Sequence, residues 1–176
     1  MRLILLALAL LAGPALAACD GPLDYRHRLL ASDDTVDLCS AYQGQVVLVV
    51  NTASQCGYTG QFKDLEALYQ KYREQGLVVL GFPSADFRQE HQREADTAQV
   101  CYINYGVTFP MFATSPVRGA QANALFRSLA QAQGAPGWNF HKYLIGRDGQ
   151  VRHAFNSRVT PLDSVLERAV QAALAE

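Results

Sequence analysis

In Val46-Val47-Leu48-Val49-Val50-Asn51-Thr52-Ala53-Ser54-Gln55-Cys56-Gly57-Tyr58-Thr59, five apolar residues, four of them β-branched, run straight into a polar loop that holds a cysteine. A short apolar run bounded by turn residues fits a strand covered on both faces. Leu77 to Phe82 is nearly as apolar. Between the two runs, Phe62, Leu65, Tyr69 and Tyr72 recur at spacings of three, four and three, which is one face of a helix. Thr59 is expected to cap the start of that helix, and Gly76 to stop it. The three pieces form a βαβ unit, whose two strands run parallel and whose crossover is right-handed.

Working outward, Tyr25 to Leu30 and Thr35 to Leu38 flank the polar cluster Ala31-Ser32-Asp33-Asp34 and predict an N-terminal hairpin. Helices are expected around Asp96 to Tyr105, stopped by Gly106, and over Ala120 to Gln133, stopped by Gly134 and Pro136. Phe109 to Ala113 reads as a short strand. Lys142 to Ile145 and Val151 to Phe155 are strands joined by Asp148-Gly149, a hairpin dipeptide. Leu162 to Leu174 closes the chain as a helix. The expected class is α/β: a central mixed sheet flanked by helices, with an N-terminal β-hairpin.

The 176 residues suffice for one domain with a real core, and 49% of them are hydrophobic. The formal net charge of -1 gives no broad attraction toward nucleic acid or acidic lipid. The first eighteen residues form a separate object. Arg2 precedes the apolar run Leu3 to Leu11, and Ala15-Leu16-Ala17 is a small-x-small site. That order reads as a secretory signal peptide over 1–18, leaving one domain over 19–176. The expectation is an exported protein of the bacterial periplasm. Cys19 has two fates. Leu16-Ala17-Ala18-Cys19 resembles a lipobox, in which Cys19 is lipidated and anchors the protein to a membrane. Otherwise Cys19 is an ordinary thiol available to Cys39, because an oxidising compartment favours pairing and Cys39 has no other obvious partner.

Cys56 lies just beyond a strand and just before a helix. Ligand sites in α/β sheets lie beyond the carboxyl ends of strands. Helix N-termini carry positive partial charge and free N–H groups, which suit a thiolate, the attacking form of a thiol. A buried inert cysteine is the ordinary alternative. Gly57 and the polar Ser54, Gln55 and Thr59 favour a loop and a reactive residue.

Residues 49–59 closely resemble the active-site segment of the glutathione peroxidase family, in its cysteine rather than selenocysteine form. The resemblance continues through Leu65-Glu66-Ala67-Leu68-Tyr69, Leu80-Gly81-Phe82-Pro83, Asn104-Tyr105-Gly106-Val107-Thr108-Phe109-Pro110, Trp138-Asn139-Phe140 and Tyr143-Leu144-Ile145, in family order. It implies a thioredoxin-like fold and the reduction of hydrogen peroxide or organic hydroperoxides, with no cofactor. Cys56 takes the peroxide-attacking role. Trp138 and Asn139 match two members of the family's catalytic tetrad, whose N–H groups stabilise charge as it leaves the sulfur. At the tetrad glutamine the chain departs from the family. Asp86 stands there, in Phe82-Pro83-Ser84-Ala85-Asp86-Phe87, and the segment after it is one residue shorter. Asp86 is expected to face the site as a proton acceptor, and the alternative is a carboxylate held away. Gln89 is the other amide at hand and is set aside.

Cys101, in Val100-Cys101-Tyr102-Ile103-Asn104, falls in the part of the family that carries a resolving cysteine. The resemblance implies that it forms a disulfide with oxidised Cys56, which a thioredoxin-like donor, or glutathione, then reduces. If Cys101 starts on a helix, that helix has to unwind for the sulfurs to meet. Rival readings are an exported disulfide oxidoreductase, a copper-delivery protein and a redox sensor without efficient turnover. The first would use Cys-x-x-Cys and the second a close cysteine pair with a histidine, and neither pattern occurs.

Overall fold

The computed structural model describes residues 21–176. The expected signal segment, Cys19 and the pairing of Cys19 with Cys39 lie outside or reach outside those residues.

Strands β1 (Arg26–Arg28) and β2 (Thr35–Asp37) form the expected antiparallel hairpin. Asp37 then caps α1 (Leu38–Tyr42), its side chain accepting the N–H of Ser40. The main sheet contains β3 (Val46–Thr52), β4 (Leu77–Pro83), β5 (Lys142–Ile145) and β6 (Val151–Phe155), in the order β4-β3-β5-β6. β3 pairs parallel with β4, Val46 opposite Leu77 and Thr52 opposite Pro83. It pairs antiparallel with β5, Val50 opposite Lys142. The sheet is therefore mixed, and every residue of β3 and β4 is buried.

Period-two alternation sends β3 into two cores. Val46, Leu48 and Val50 pack with Phe62, Leu65 and Leu68 of α2 (Gln61–Tyr72) and with Leu166 and Val170 of α5 (Val165–Leu174). Val47 and Val49 pack on the other face with Leu125, Phe126 and Leu129 of α4 (Ala124–Gln133), and with Leu38 of α1. Each fully buried aliphatic side chain contributes about 1.5–3 kcal/mol relative to exposure. These two layers enclose β3 on both faces and fix the position of its carboxyl end.

Several expected boundaries move, each for a local reason. α4 starts at Ala124 because Asn123 accepts the N–H of Phe126, after a turn at Gly119 with φ 69°. α5 starts at Val165 because Ser164 is its cap. Phe109 to Ala113 forms only isolated bridges, Met111 with Gly81 and Phe112 with Leu29. The helix expected over Asp96 to Tyr105 splits into α3 (Glu94–Ala98) and a six-residue π-helical turn, Gln99–Asn104.

Candidate active site

The chain leaves β3 at Thr52 and turns before α2. Cys56 sits in that turn and is 9% exposed. The buried hydroxyl of Thr59 holds the turn closed. It accepts the N–H of Cys56 at 3.1 Å and lies 2.9 Å from the carbonyl of Ala53 and 2.7 Å from that of Cys56. Thr59 therefore does not cap α2 as expected. Its oxygen is spent inside the loop, and Gly60 precedes the helix without a side-chain cap. The backbone N–H of Tyr58 donates to Cys56 Sγ at 3.4 Å.

Trp138 and Asn139 reach the same end of the sheet on the loop before β5. Buried Asn51, near the end of β3, clamps that loop with both ends of its amide. Its Nδ2 donates to the Trp138 carbonyl at 3.1 Å, and its Oδ1 accepts the N–H of His141 at 3.1 Å. The N–H of Phe140 donates to the Asn51 carbonyl at 2.6 Å. Phe140 has φ 60°, a left-handed conformation uncommon for a bulky residue. Full burial and an edge-on contact with Phe62, centroids 5.3 Å apart, hold it there. Ser157 adds a bond from its hydroxyl to the Asn139 carbonyl at 2.6 Å. Behind Ser157, the fully buried Lys142 donates to Gln61 Oε1 and to the carbonyl of Val159. Burial holds the Lys142 ammonium down to about 7.

Asn139 is fully buried, and its Nδ2 donates to Gln89 Oε1 at 3.0 Å. Trp138 is 42% exposed, with its ring 5.2 Å from that of Phe87. A cleft of about 490 Å³ opens beside Trp138, bordered by Tyr58, His141, Asn156 and Arg158. The imidazole of His141 is held down to about 4 by burial and by the neighbouring Lys142 charge.

The structure corrects the expectation for Asp86. This exposed residue turns its carboxylate onto the following loop, where one oxygen accepts the N–H groups of Val117 at 2.7 Å and Arg118 at 3.0 Å. A carboxylate fits two converging backbone donors better than it fits the neighbourhood of a thiolate. Cys101 lies in the π-helical turn, 1% exposed. Its thiol is pushed up to about 12 by burial and by the negative charge of Glu90. Cys56 and Cys101 are both free thiols, and both belong to one apolar cluster. Sequence reading gave no weight to Asn51, which clamps the Trp138–Asn139 loop, and set aside Gln89, whose Oε1 accepts the Asn139 amide. Asn51 hides in a strand, and Gln89 follows a tight turn closed by the Arg88 N–H on the Ala85 carbonyl. Among the described residues, no group of three or more His, Cys, Asp or Glu side chains is placed to hold a metal ion.

The family model for glutathione peroxidase matches residues 25–130. The glutathione peroxidase of Lactococcus lactis is 46% identical over 134 residues, covering 73% of this chain and 85% of that protein. The glutathione peroxidase-like peroxiredoxin gpx1 of Schizosaccharomyces pombe is 45% identical over 128 residues, covering 69% of this chain and 81% of its own. The crystal structure of Trgpx in apo form superposes with a TM-score of 0.71 at 34% identity, covering 90% of this chain and 98% of that one. The fold is thioredoxin-like, as the mixed sheet and its flanking helices imply.

Proposed function

This chain belongs to the glutathione peroxidase family and is an oxidoreductase acting on peroxides, and on that premise we propose a two-thiol cycle run by Cys56 and Cys101. The Cys56 thiolate attacks one oxygen of the peroxide. An S–O bond forms, the O–O bond breaks, and the departing oxygen takes up a proton to leave as water or an alcohol. The sulfur loses two electrons and becomes a sulfenic acid. The indole N–H of Trp138 and the second Nδ2 hydrogen of Asn139 are the donors for charge moving from sulfur to the departing oxygen.

Cys101 then attacks the oxidised sulfur. An S–S bond forms, the S–O bond breaks, and the oxygen leaves as water with the Cys101 proton. A thioredoxin-like dithiol, or glutathione, reduces the disulfide by exchange and is itself oxidised. The order of residues 1–18 supports export to the periplasm, where such a donor would act. The intact mass of the exported protein separates the two fates of Cys19: acyl mass for a lipid anchor, two hydrogens fewer for a disulfide.

The observation that carries this reading is the placement of reduced Cys56 at the carboxyl end of β3. Its sulfur accepts the Tyr58 N–H, and Asn51 clamps the Trp138–Asn139 loop to the same strand. Stopped-flow mixing of the reduced protein with hydrogen peroxide and with cumene hydroperoxide tests it. Rapid oxidation, lost in Cys56→Ser, supports the cycle. Persistent turnover in Cys56→Ser removes it, and slow oxidation with no turnover by a thioredoxin-like donor leaves a sensor instead.

A further inference from the structure

We propose that Gln89 is the positioning residue of the peroxide site, standing where the family resemblance leads one to look for Asp86. The proposal rests on the two-thiol reading above and deepens it. The evidence begins with the shape of residues 84–90. The N–H of buried Ser84 donates to the Thr52 carbonyl at 3.1 Å, tying the segment to the end of β3. The N–H of Arg88 then donates to the Ala85 carbonyl at 2.9 Å, closing a tight turn, and Arg88 has φ 57°. A side chain in the left-handed region is unfavourable, so the turn persists because what surrounds it holds it. Three attachments do so. Asp86 binds the N–H groups of Val117 and Arg118, Phe87 is buried against Trp138, and the Gln89 carbonyl accepts the N–H of Gln55 at 2.9 Å.

The consequence is a change of occupant. The tight turn carries Asp86 outward and brings Gln89 to the catalytic loop. Gln89 alone among the described residues is bonded both to the residue preceding Cys56 and to the side chain of Asn139. Its Oε1 fixes one hydrogen of Asn139 Nδ2, which sets the plane of that amide and leaves the other hydrogen for the peroxide. Its own Nε2 has no protein acceptor among the described residues. An amide suits this place because it never carries charge. It can hold a donor beside a thiolate without opposing it, as a carboxylate would. The amide the turn delivers comes from three positions beyond Asp86 along the chain.

The rate of Cys56 oxidation by hydrogen peroxide, measured against pH through the fluorescence of Trp138, the single tryptophan, tests the assignment. In Gln89→Ala the plateau rate at high pH should fall about tenfold to a hundredfold, less than the loss of a complete oxyanion donor. Alkylation of the Cys56 thiolate by iodoacetamide, which needs no donor for a departing oxygen, should stay within about twofold. Gln89→Glu keeps the acceptor for Asn139 but adds a charge, so the pH midpoint should move upward as the plateau falls. A wild-type plateau and midpoint in both Gln89 variants would overturn the proposal. So would equal slowing of oxidation and alkylation, which would mark a purely structural role. No oxidation of the wild-type protein would instead overturn the peroxidase reading, and this assignment with it.

Discussion

Cys56 Sγ accepts the backbone N–H of Tyr58, two residues further along the chain, at 3.4 Å. The donor is part of the same turn as the sulfur, so the two move together. The turn itself depends on Thr59, whose hydroxyl meets one N–H and two carbonyls within it.

Thr59→Val keeps the shape and removes that hydroxyl. The buried N–H of Cys56 then has no partner, which costs about 1–3 kcal/mol. Chemical denaturation should show a loss of that size. The peroxide rate should fall as well, because the Tyr58 donor loses its fixed relation to the sulfur. Unchanged stability and rate would show that the turn is held by other contacts.

Cys101 should be the protected thiol. It is almost fully enclosed and stays protonated well past neutral pH. Timed alkylation of reduced protein at pH 8, read by mass spectrometry of peptides, should label Cys56 first. In Cys101→Ser, peroxide should still oxidise Cys56, but the crosslinked peptide should vanish and recycling by a thioredoxin-like donor should stop. Equal labelling of the two thiols would contradict the burial argument.

Gly81 leaves no space for a side chain. A Cβ there would run into Met111 Sδ, with Met111 Cε at 3.0 Å and Phe109 Cε2 at 3.3 Å. Met111 is fully buried and has nowhere easy to go. Gly81→Ala should destabilise the fold by about 1–3 kcal/mol, the usual range for overpacking. A thermal midpoint within a degree of wild type would show that the Met111 side chain repacks freely.

Three buried groups shape stability against pH. His141 is held at about 4, below its ordinary 6.5, so its contribution is present above pH 6.5 and lost as pH falls toward 4. Lys142 is held at about 7, below its ordinary 10.5, so stability rises further between pH 7 and 10.5. Cys101 is held at about 12, above its ordinary 9.0, so its contribution is complete below pH 9 and lost as pH rises toward 12. Thermal unfolding of the reduced protein should therefore improve from pH 4 to about 9. In Lys142→Met the rise between pH 7 and 9 should flatten. A slope in that variant equal to wild type would assign the rise to other groups.

Much of the fold was legible because its strands and helices are simple in pattern. The run at Val46–Val50, the face made by Phe62, Leu65 and Tyr72, and the Asp148-Gly149 hairpin all stand where local rules put them. Cys56, Trp138 and Asn139 could be named from short motifs. Asp86 and Gln89 could not be sorted the same way. Their roles depend on a turn closed by Arg88 at positive φ and on two N–H groups from a loop some thirty residues away. The split of the expected helix at Ala98 was also invisible, since a π-helical turn has no distinct sequence period at this length.

On the proposed two-thiol cycle, that π-helical turn would act as a timer. Its closing bonds run from the Tyr105 N–H to the Val100 carbonyl at 3.2 Å and from the Val107 N–H to the Cys101 carbonyl at 3.0 Å, and in that cycle they would open as Cys101 leaves the turn to reach an oxidised Cys56. Each sulfenic acid formed in the cycle would wait for that opening. During the wait a second peroxide molecule can carry the sulfur to sulfinic acid, which ordinary thiols do not restore. Unwinding rate and peroxide supply would thus compete, and their ratio would set a dose above which the protein inactivates itself. The turn that buries one thiol would then decide how much oxidant the other survives.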